Sequence, residues 1–269
     1  MAQDKSRIDL GFQSYEAMSR SFSAQRMVNL YFEEGSEGTA TSYVIYGTPG
    51  LKTFSNIGID PVYNLHVMGS ELYAIVGNSA YTVTQAGGFN LIGGIGSVDD
   101  RVKTVDSGSI IMAIKNNGEA YSITSTTSNL ISGLIFTPSD VAFLDGYFIV
   151  SERNGNRIQW NFDNTTGWNA LNFSKAQASS DNIVGLLATN RDLWVFCESS
   201  IEFFVPTNDV EELAFRSRQV TIQRGCGAKN SIVGYDDSVI WMGDDRVFYR
   251  SKSYAPEAIS SRGIDNIVA

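Results

Sequence analysis

The sequence predicts an all-β protein, a β-propeller-like array of about five to six four-stranded blades preceded by an extended N-terminal arm. Three observations carry this expectation. Short apolar runs alternate with polar turns along most of the chain, and helical spacing is almost absent. One hairpin pattern then recurs: an apolar run, a turn of Gly, Asn, Asp, Glu or Ser, and a second apolar or aromatic run. It is seen in ELYAIVGNSAYTV (71–83), IIMAIKNNGEAYSI (110–123), YFIVSERNGNRIQW (147–160), LWVFCESSIEFF (193–204) and SVIWMGDDRVFYR (238–250). Finally, the large residues aligned by these copies, Tyr73, Met112, Phe148, Trp194 and Trp241, stand 39, 36, 46 and 47 residues apart. A period near about 40–45 residues marks a propeller blade, in which wide side chains fill the space between stacked sheets. These five residues are therefore expected in the core.

Taken in order, residues 1–36 show no strong period. The segment 17–31, AMSRSFSAQRMVNLY, is small, polar and Arg-bearing and reads as an extended arm, and 33–39, EEGSEGT, reads as a linker. The arm and linker are accordingly placed at 1–40 and the propeller-like domain at 41–269. Apolar runs at 42–46 and 51–54 flank Gly47-Thr48-Pro49-Gly50, which predicts a hairpin there. Each repeat is opened by its own leading run, at 63–68, 101–105, 141–144, 183–188 and 231–235. A trailing run is clear only at 89–92, and 122–128 reads as an exposed strand edge and turn. The best helix candidate is SSRGIDNIVA (260–269), where a Ser cap precedes the segment and Gly263 weakens it. Five units and an N-terminal hairpin do not close a ring by themselves. The chain is thus expected to stop short, with a further blade incomplete or completed by something else.

Composition narrows the functional classes. Acidic residues number 29 against 20 basic ones, for a net charge of −9, which argues against a free duplex nucleic-acid binder. A hydrophobic share of 43% suffices for a continuous core. No apolar run has the length of a membrane span, and the first ten residues are polar and charged, unlike a signal peptide. A soluble protein made in a reducing cytoplasm fits, so Cys197 and Cys226 read as two buried thiols, and the Asn-X-Ser/Thr triplets at Asn164 and Asn172 as chance.

No constellation specifies a reaction, a metal or a cofactor. His66 is the single histidine and falls in a strand-like run, where a structural role is the plain reading. The pairs Asp99/Asp100, Asp236/Asp237 and Asp244/Asp245 fall where turns are expected, and adjacent strand residues face opposite ways. The stretch 161–164 resembles half of a calcium loop but lacks its Gly and distal Glu. GGFNLIGGIG (87–96) lacks phosphate-loop spacing and reads as two turns around a strand. Arg20, Arg26, Arg216, Arg218 and Arg224 read as loop arginines, of which Arg20 and Arg26 in a flexible arm suit bidentate pairing with an acidic partner.

Two blocks nonetheless resemble a known family. SRSFSAQRMVNLY (19–31) followed by YGTPGLKTF (46–54), and RGCGAKNSIVGYDDSVIWMGDDRVFYRSKSYAPEAIS (224–260), are similar to the packaged-DNA stabilisation proteins, or tail hub proteins (tail accessory factors), of short-tailed phages. The matching elements of the second block are Gly225-Cys226, Trp241-Met242-Gly243, residues 247–250, Tyr254-Ala255-Pro256 and Ile259-Ser260 followed by Ile264. The resemblance implies a virion protein made in the host bacterial cytoplasm. Such a protein would sit in about six copies beneath the portal and its head–tail adaptor ring, close the DNA exit channel after packaging, and seat a tail needle or other tail proteins. It implies no membrane and at most indirect contact with packaged DNA. On this reading Arg20, Gln25, Arg26, Asn29 and Tyr31 are the arm's partner contacts. Family members run longer, which places ring closure and needle contacts in doubt for this stretch. Two alternatives stay open. An interaction propeller of the WD kind would show recurring Gly-His and Trp-Asp pairs, which are missing. A glycan-acting propeller enzyme would need convergent polar groups on the innermost strands, and the runs at 63–68, 141–144 and 183–188 are mostly apolar.

Overall fold

The computed structural model of this protein describes residues 15–16, 24–25, 29–34, 43–162, 167–207 and 213–268. The chain divides into two compact units, one comprising residues 1–53 with 261–269 and the other residues 54–260.

The larger unit is built from five four-stranded antiparallel sheets among the described residues, each hydrogen-bonded in chain order. Blade 1 holds Val62–Met68, Glu71–Val76, Ser79–Val83 and Phe89–Gly94. Blade 2 holds Lys103–Asp106, Ile111–Ile114, Ala120–Ile123 and Ser128–Leu130. Blade 3 holds Pro138–Leu144, Tyr147–Glu152, Arg157–Phe162 and Phe173–Lys175. Blade 4 holds Ile183–Thr189, Asp192–Cys197, Ile201–Pro206 and Phe215–Ile222. Blade 5 holds Val233–Tyr235, Ser238–Met242, Phe248–Ser251 and Glu257–Ala258. The leading strands of successive blades lie beside one another, which makes them the innermost strands of a propeller. The all-β, β-propeller-like architecture is therefore what the repeat predicts.

Local sequence explains the hairpins. Strands one and two of blades 3 and 4 are joined by two-residue turns, Asp145-Gly146 and Asn190-Arg191, with positive φ at both positions. That geometry matches the right-handed twist of the flanking strands and favours Asn, Asp and Gly. Asp236, at φ 54°, opens the equivalent turn of blade 5. Burial then follows four layers between neighbouring blades. Ile75 and Ala80 of blade 1 pack with Ile111 and Ile123 of blade 2, while Met112 of blade 2 packs with Phe148 and Val150 of blade 3. Trp160 of blade 3 meets Leu193 and Phe204 of blade 4, and Trp194 and Phe203 of blade 4 meet Trp241 of blade 5.

The leading strands carry one irregularity at a repeated place. Register shifts fall between Val62 and Asn64 in blade 1, Pro138 and Asp140 in blade 3, and Ile183 and Gly185 in blade 4. Such a bulge re-aims the next side chain. Asn64 donates to the Val102 carbonyl of blade 2 at 2.7 Å, and Asp140 accepts from the Leu186 N–H of blade 4 at 2.9 Å. One polar residue thus ties blade 1 to blade 2, and another ties blade 3 to blade 4.

In the smaller unit Tyr15–Glu16 pairs with Ala24–Gln25, Leu30–Glu34 pairs with Tyr43–Gly47, and Arg262–Val268 is a helix, where the sequence offers its Ser-capped candidate. The hairpin expected around Gly47-Thr48-Pro49-Gly50 is corrected here. Its first run, 43–47, pairs upstream with Leu30–Glu34, and residues 51–54 form no strand. The upstream segment offers a five-residue register, closed by the Thr48 N–H on the Asn29 carbonyl at 2.9 Å, and the four-residue run after Pro49 has no such partner. The expected arm boundary at residue 40 falls between these two strands.

Candidate functional site

Of the arm contacts expected from the sequence, Arg20 and Arg26 lie outside the described residues. Gln25 is paired with Tyr15 across the short ribbon. Asn29 adopts φ 55°, and its carbonyl takes both the Thr48 N–H and the Thr48 hydroxyl, at 2.9 and 3.3 Å. Tyr31 stands opposite Tyr46, their rings stacked at 5.5 Å with a 27° interplanar angle. Around that pair Leu30, Val44 and Ile45 are also exposed. A two-stranded ribbon gains little stability alone, so apolar side chains left open on it are available to a partner.

A second site lies in the larger unit, where the N-terminal ends of leading strands meet the ends of second strands. A cavity of about 590 Å³ opens there, lined from blade 1 by Asn64, from blade 2 by Arg101, Lys103 and Lys115, from blade 3 by Arg153, and from the approach to blade 5 by Lys229. Lys115 is already committed. It donates to the Ile95 carbonyl at 3.0 Å, pairs with Glu119 at 2.5 Å and lies over the Tyr121 ring. Asp100 also lines the cavity and accepts the Arg101 N–H at 2.7 Å, while Lys103 and Lys229 lie near a fully buried carboxylate, Asp140, whose oxygens accept the Val141 and Leu186 N–H groups, each at 2.9 Å. Lys103 Nζ stands 3.9 Å from Asp140, and Lys229 Nζ donates to the Ser139 carbonyl. Burial holds the Lys229 ammonium below the usual lysine range; Asp140 opposes that shift, and the charges of Lys103 and Arg153 add to it. Arg153 Nε is buried with no hydrogen-bond partner. None of these cations is among the candidates that the sequence offers, because they come from four distant segments.

The other candidates resolve into packing. His66 Nε2 lies 2.8 Å from Asp106 and its Nδ1 3.0 Å from the Thr104 hydroxyl, joining blades 1 and 2. Asp244 and Asp245 both pair with Arg224 at 3.2 Å, and Asp245 accepts the Val247 N–H within its turn. Arg218 grips Asp192 through Nε and Nη2, at 3.1 and 2.9 Å, while the Tyr254 hydroxyl donates to the same carboxylate at 2.6 Å. Tyr73, Met112, Phe148, Trp194 and Trp241 are all buried. Cys197 and Cys226 are free and buried, and burial pushes both thiols up from their ordinary range. Only thiolate reacts readily. A disulfide-exchange reagent at neutral pH is therefore expected to titrate neither cysteine in the folded protein and both after denaturation; rapid native labelling would contradict this placement.

Comparisons with known proteins agree with the architecture. The model of the phage stabilisation family, described as Bacteriophage P22 Gp10, beta-propeller, matches residues 8–269. No curated protein matches the chain by sequence. Among solved structures, YCF48 from Cyanidioschyzon merolae superposes with a TM-score of 0.52 at 12% identity, over 77% of this chain and 73% of that one. Hsv2 of Kluyveromyces lactis gives 0.51 at 10% identity, over 84% and 81%. The computationally designed Ika8 protein gives 0.50 at 9% identity, over 71% of this chain and 58% of its own length. Likeness at such identities speaks for the fold alone. The family match, by contrast, spans nearly the whole chain and the blades it describes are present, so this chain belongs to the phage stabilisation family of β-propellers and is a phage structural protein.

Proposed function

We propose that this protein is a tail hub of a short-tailed phage. It docks below the head–tail adaptor ring under the portal, closes the DNA exit channel after packaging and seats a tail needle or other tail proteins. The family match over residues 8–269 carries this reading. Its physical support is of two kinds. The Leu30–Glu34 and Tyr43–Gly47 ribbon offers exposed aliphatic and tyrosine side chains that suit burial against a protein neighbour. A net charge of −9 suits protein partners and at most indirect contact with packaged DNA. In this reading the protein is not an enzyme and needs no cofactor. It is made in the host cytoplasm and incorporated into the virion as a ring of about six copies.

Quantitative mass spectrometry of purified virions tests the proposal. About six copies per particle are expected, in keeping with closed ring symmetry. Absence of the chain from intact particles removes the hub reading. In the same assembly system, replacing Arg26 and Tyr31 together with Ala is expected to abolish attachment to portal–adaptor rings. Normal attachment of that variant would remove Arg20, Gln25, Arg26, Asn29 and Tyr31 as the contact set and leave the hub reading standing.

A further inference from the structure

We infer that the cation-lined cavity of the larger unit is a binding site for a short acidic segment of a partner protein. The occupant's carboxylates would lie against Arg101, Lys103, Arg153 and Lys229. Several observations converge on this. The chain as a whole is acidic, yet four cations drawn from three separate regions line one cavity against a single lining acid, the exposed Asp100, which takes the Arg101 N–H, and the fully buried acid beside them, Asp140, has both oxygens on backbone N–H groups. Arg153 Nε is buried and unpartnered, and the Arg101 side chain makes no ion pair among the described residues. Burial is the main cause that weakens the Lys229 ammonium, the neighbouring charges of Lys103 and Arg153 add to it, and an incoming anion offsets both. Guanidinium groups donate two parallel N–H bonds to a carboxylate, and Lys229, with one donor on the Ser139 carbonyl, keeps two others.

The remaining lining selects among anions. Asn116, Asn154 and Asn230 also border the cavity, are exposed, and have no side-chain hydrogen bond among the described residues. Each amide offers both a donor and an acceptor, which complements the N–H and C=O groups of a peptide backbone. A phosphate group presents acceptors only and would leave the amide oxygens unused. Size points the same way. About 590 Å³ holds a few residues and excludes a nucleic-acid duplex, and the acidic exterior repels any long polyanion that extends beyond the cavity. The choice of a protein ligand rests in part on the virion role above, but the binding measurement needs no virion, so its failure would leave that role intact.

The test is fluorescence anisotropy on the full chain with a labelled hexapeptide of alternating Glu and Gly. Its Gln counterpart, a single-stranded oligothymidylate and inorganic phosphate serve as competitors. The Glu peptide is expected to bind with an affinity that falls as salt rises, and the Gln peptide to compete poorly. Arg153→Gln combined with Lys229→Gln is expected to weaken binding by about tenfold or more, since each removes a charged contact from a partly buried site. Arg101→Gln, at the exposed rim, is the variant that leaves the fold untouched and is expected to weaken binding in the same direction. Equal binding of the Gln peptide, or no response to Arg101→Gln in a folded variant, would overturn the site. Displacement of the Glu peptide by phosphate or oligothymidylate at lower concentrations than by unlabelled Glu peptide would overturn the assignment to a protein segment.

Discussion

Trp241→Ala is expected to lower the free energy of unfolding by about 3–5 kcal/mol, the range for truncating a fully buried Trp. Trp241 lies in the second strand of blade 5 with 0% exposure. Its indole meets the Phe196 ring of blade 4 at 5.8 Å and 62°, and stacks on Tyr249 of its own blade at 5.8 Å and 26°. The indole N–H donates to the Gly225 carbonyl at 3.2 Å. That carbonyl cannot swing out to find water easily. The chain at Gly225 presses so closely on blade 4 that an added Cβ would stand 2.0 Å from the Glu198 carbonyl oxygen, and the next N–H, of Cys226, is bonded to Cys197. Alanine would therefore leave both a void between blades 4 and 5 and a stranded acceptor. Trp241→Phe keeps most of the packing and loses mainly the hydrogen bond, so it should cost about 1 kcal/mol plus a small cavity contribution. Equilibrium urea unfolding followed by circular dichroism distinguishes the two. A midpoint for Trp241→Ala equal to that of the parent would show that this contact does not hold blade 5 to blade 4.

The same tryptophan shows what the sequence can and cannot convey. The period was legible because turn residues and wide apolar residues recur in a fixed order, and the hairpins form where they do. The face each residue occupies was not. Tyr73, Met112 and Trp194 look toward the following blade, whereas Phe148 and Trp241 look back toward the preceding one, so two of the five aligned positions are displaced by one residue. The second strands explain this. Ile111–Ile114 and Asp192–Cys197 are buried at every position, which removes the alternation that would fix a register. Trailing strands such as Ser128–Leu130 and Glu257–Ala258 are short, polar and at the sheet edge, and carry no apolar run to find. The cationic cavity was beyond reach for a different reason. Arg101, Lys103, Arg153 and Lys229 are unremarkable within their own segments, and only the radial arrangement of leading strands brings them together.

Asp140→Ala is expected to cost a comparable amount, about 3–5 kcal/mol, because it strips the counter-charge and a blade-to-blade hydrogen bond from a buried site. The leading-strand bulge places the Asp140 backbone N–H on the Ser151 hydroxyl at 3.0 Å and sends the carboxylate toward blade 4. One oxygen accepts the Leu186 N–H there, and the space it needs exists because residue 185 is glycine: a Cβ on Gly185 would stand 3.0 Å from the Asp140 oxygen and 2.6 Å from the Ile232 methyl. Alanine would leave that N–H bare and expose Lys103, Arg153 and Lys229 to one another without an acid between them. Asp140→Asn separates the two losses. It removes the charge and one of the two acceptors but keeps a carbonyl for the Leu186 N–H, so its destabilisation should be smaller, and the part due to charge should shrink as salt rises, because added ions screen the cations' mutual repulsion. The alanine variant loses the same charge and both acceptors, so its penalty should fall by a similar amount and leave a larger remainder at high salt. Urea midpoints for both variants at low and high salt test the distinction. Penalties that do not change with salt in either variant would mean that the carboxylate acts there by shape and hydrogen bonding and not by charge, and an Asp140→Ala protein as stable as the parent would show that the blade 3 to blade 4 junction is held by apolar packing alone.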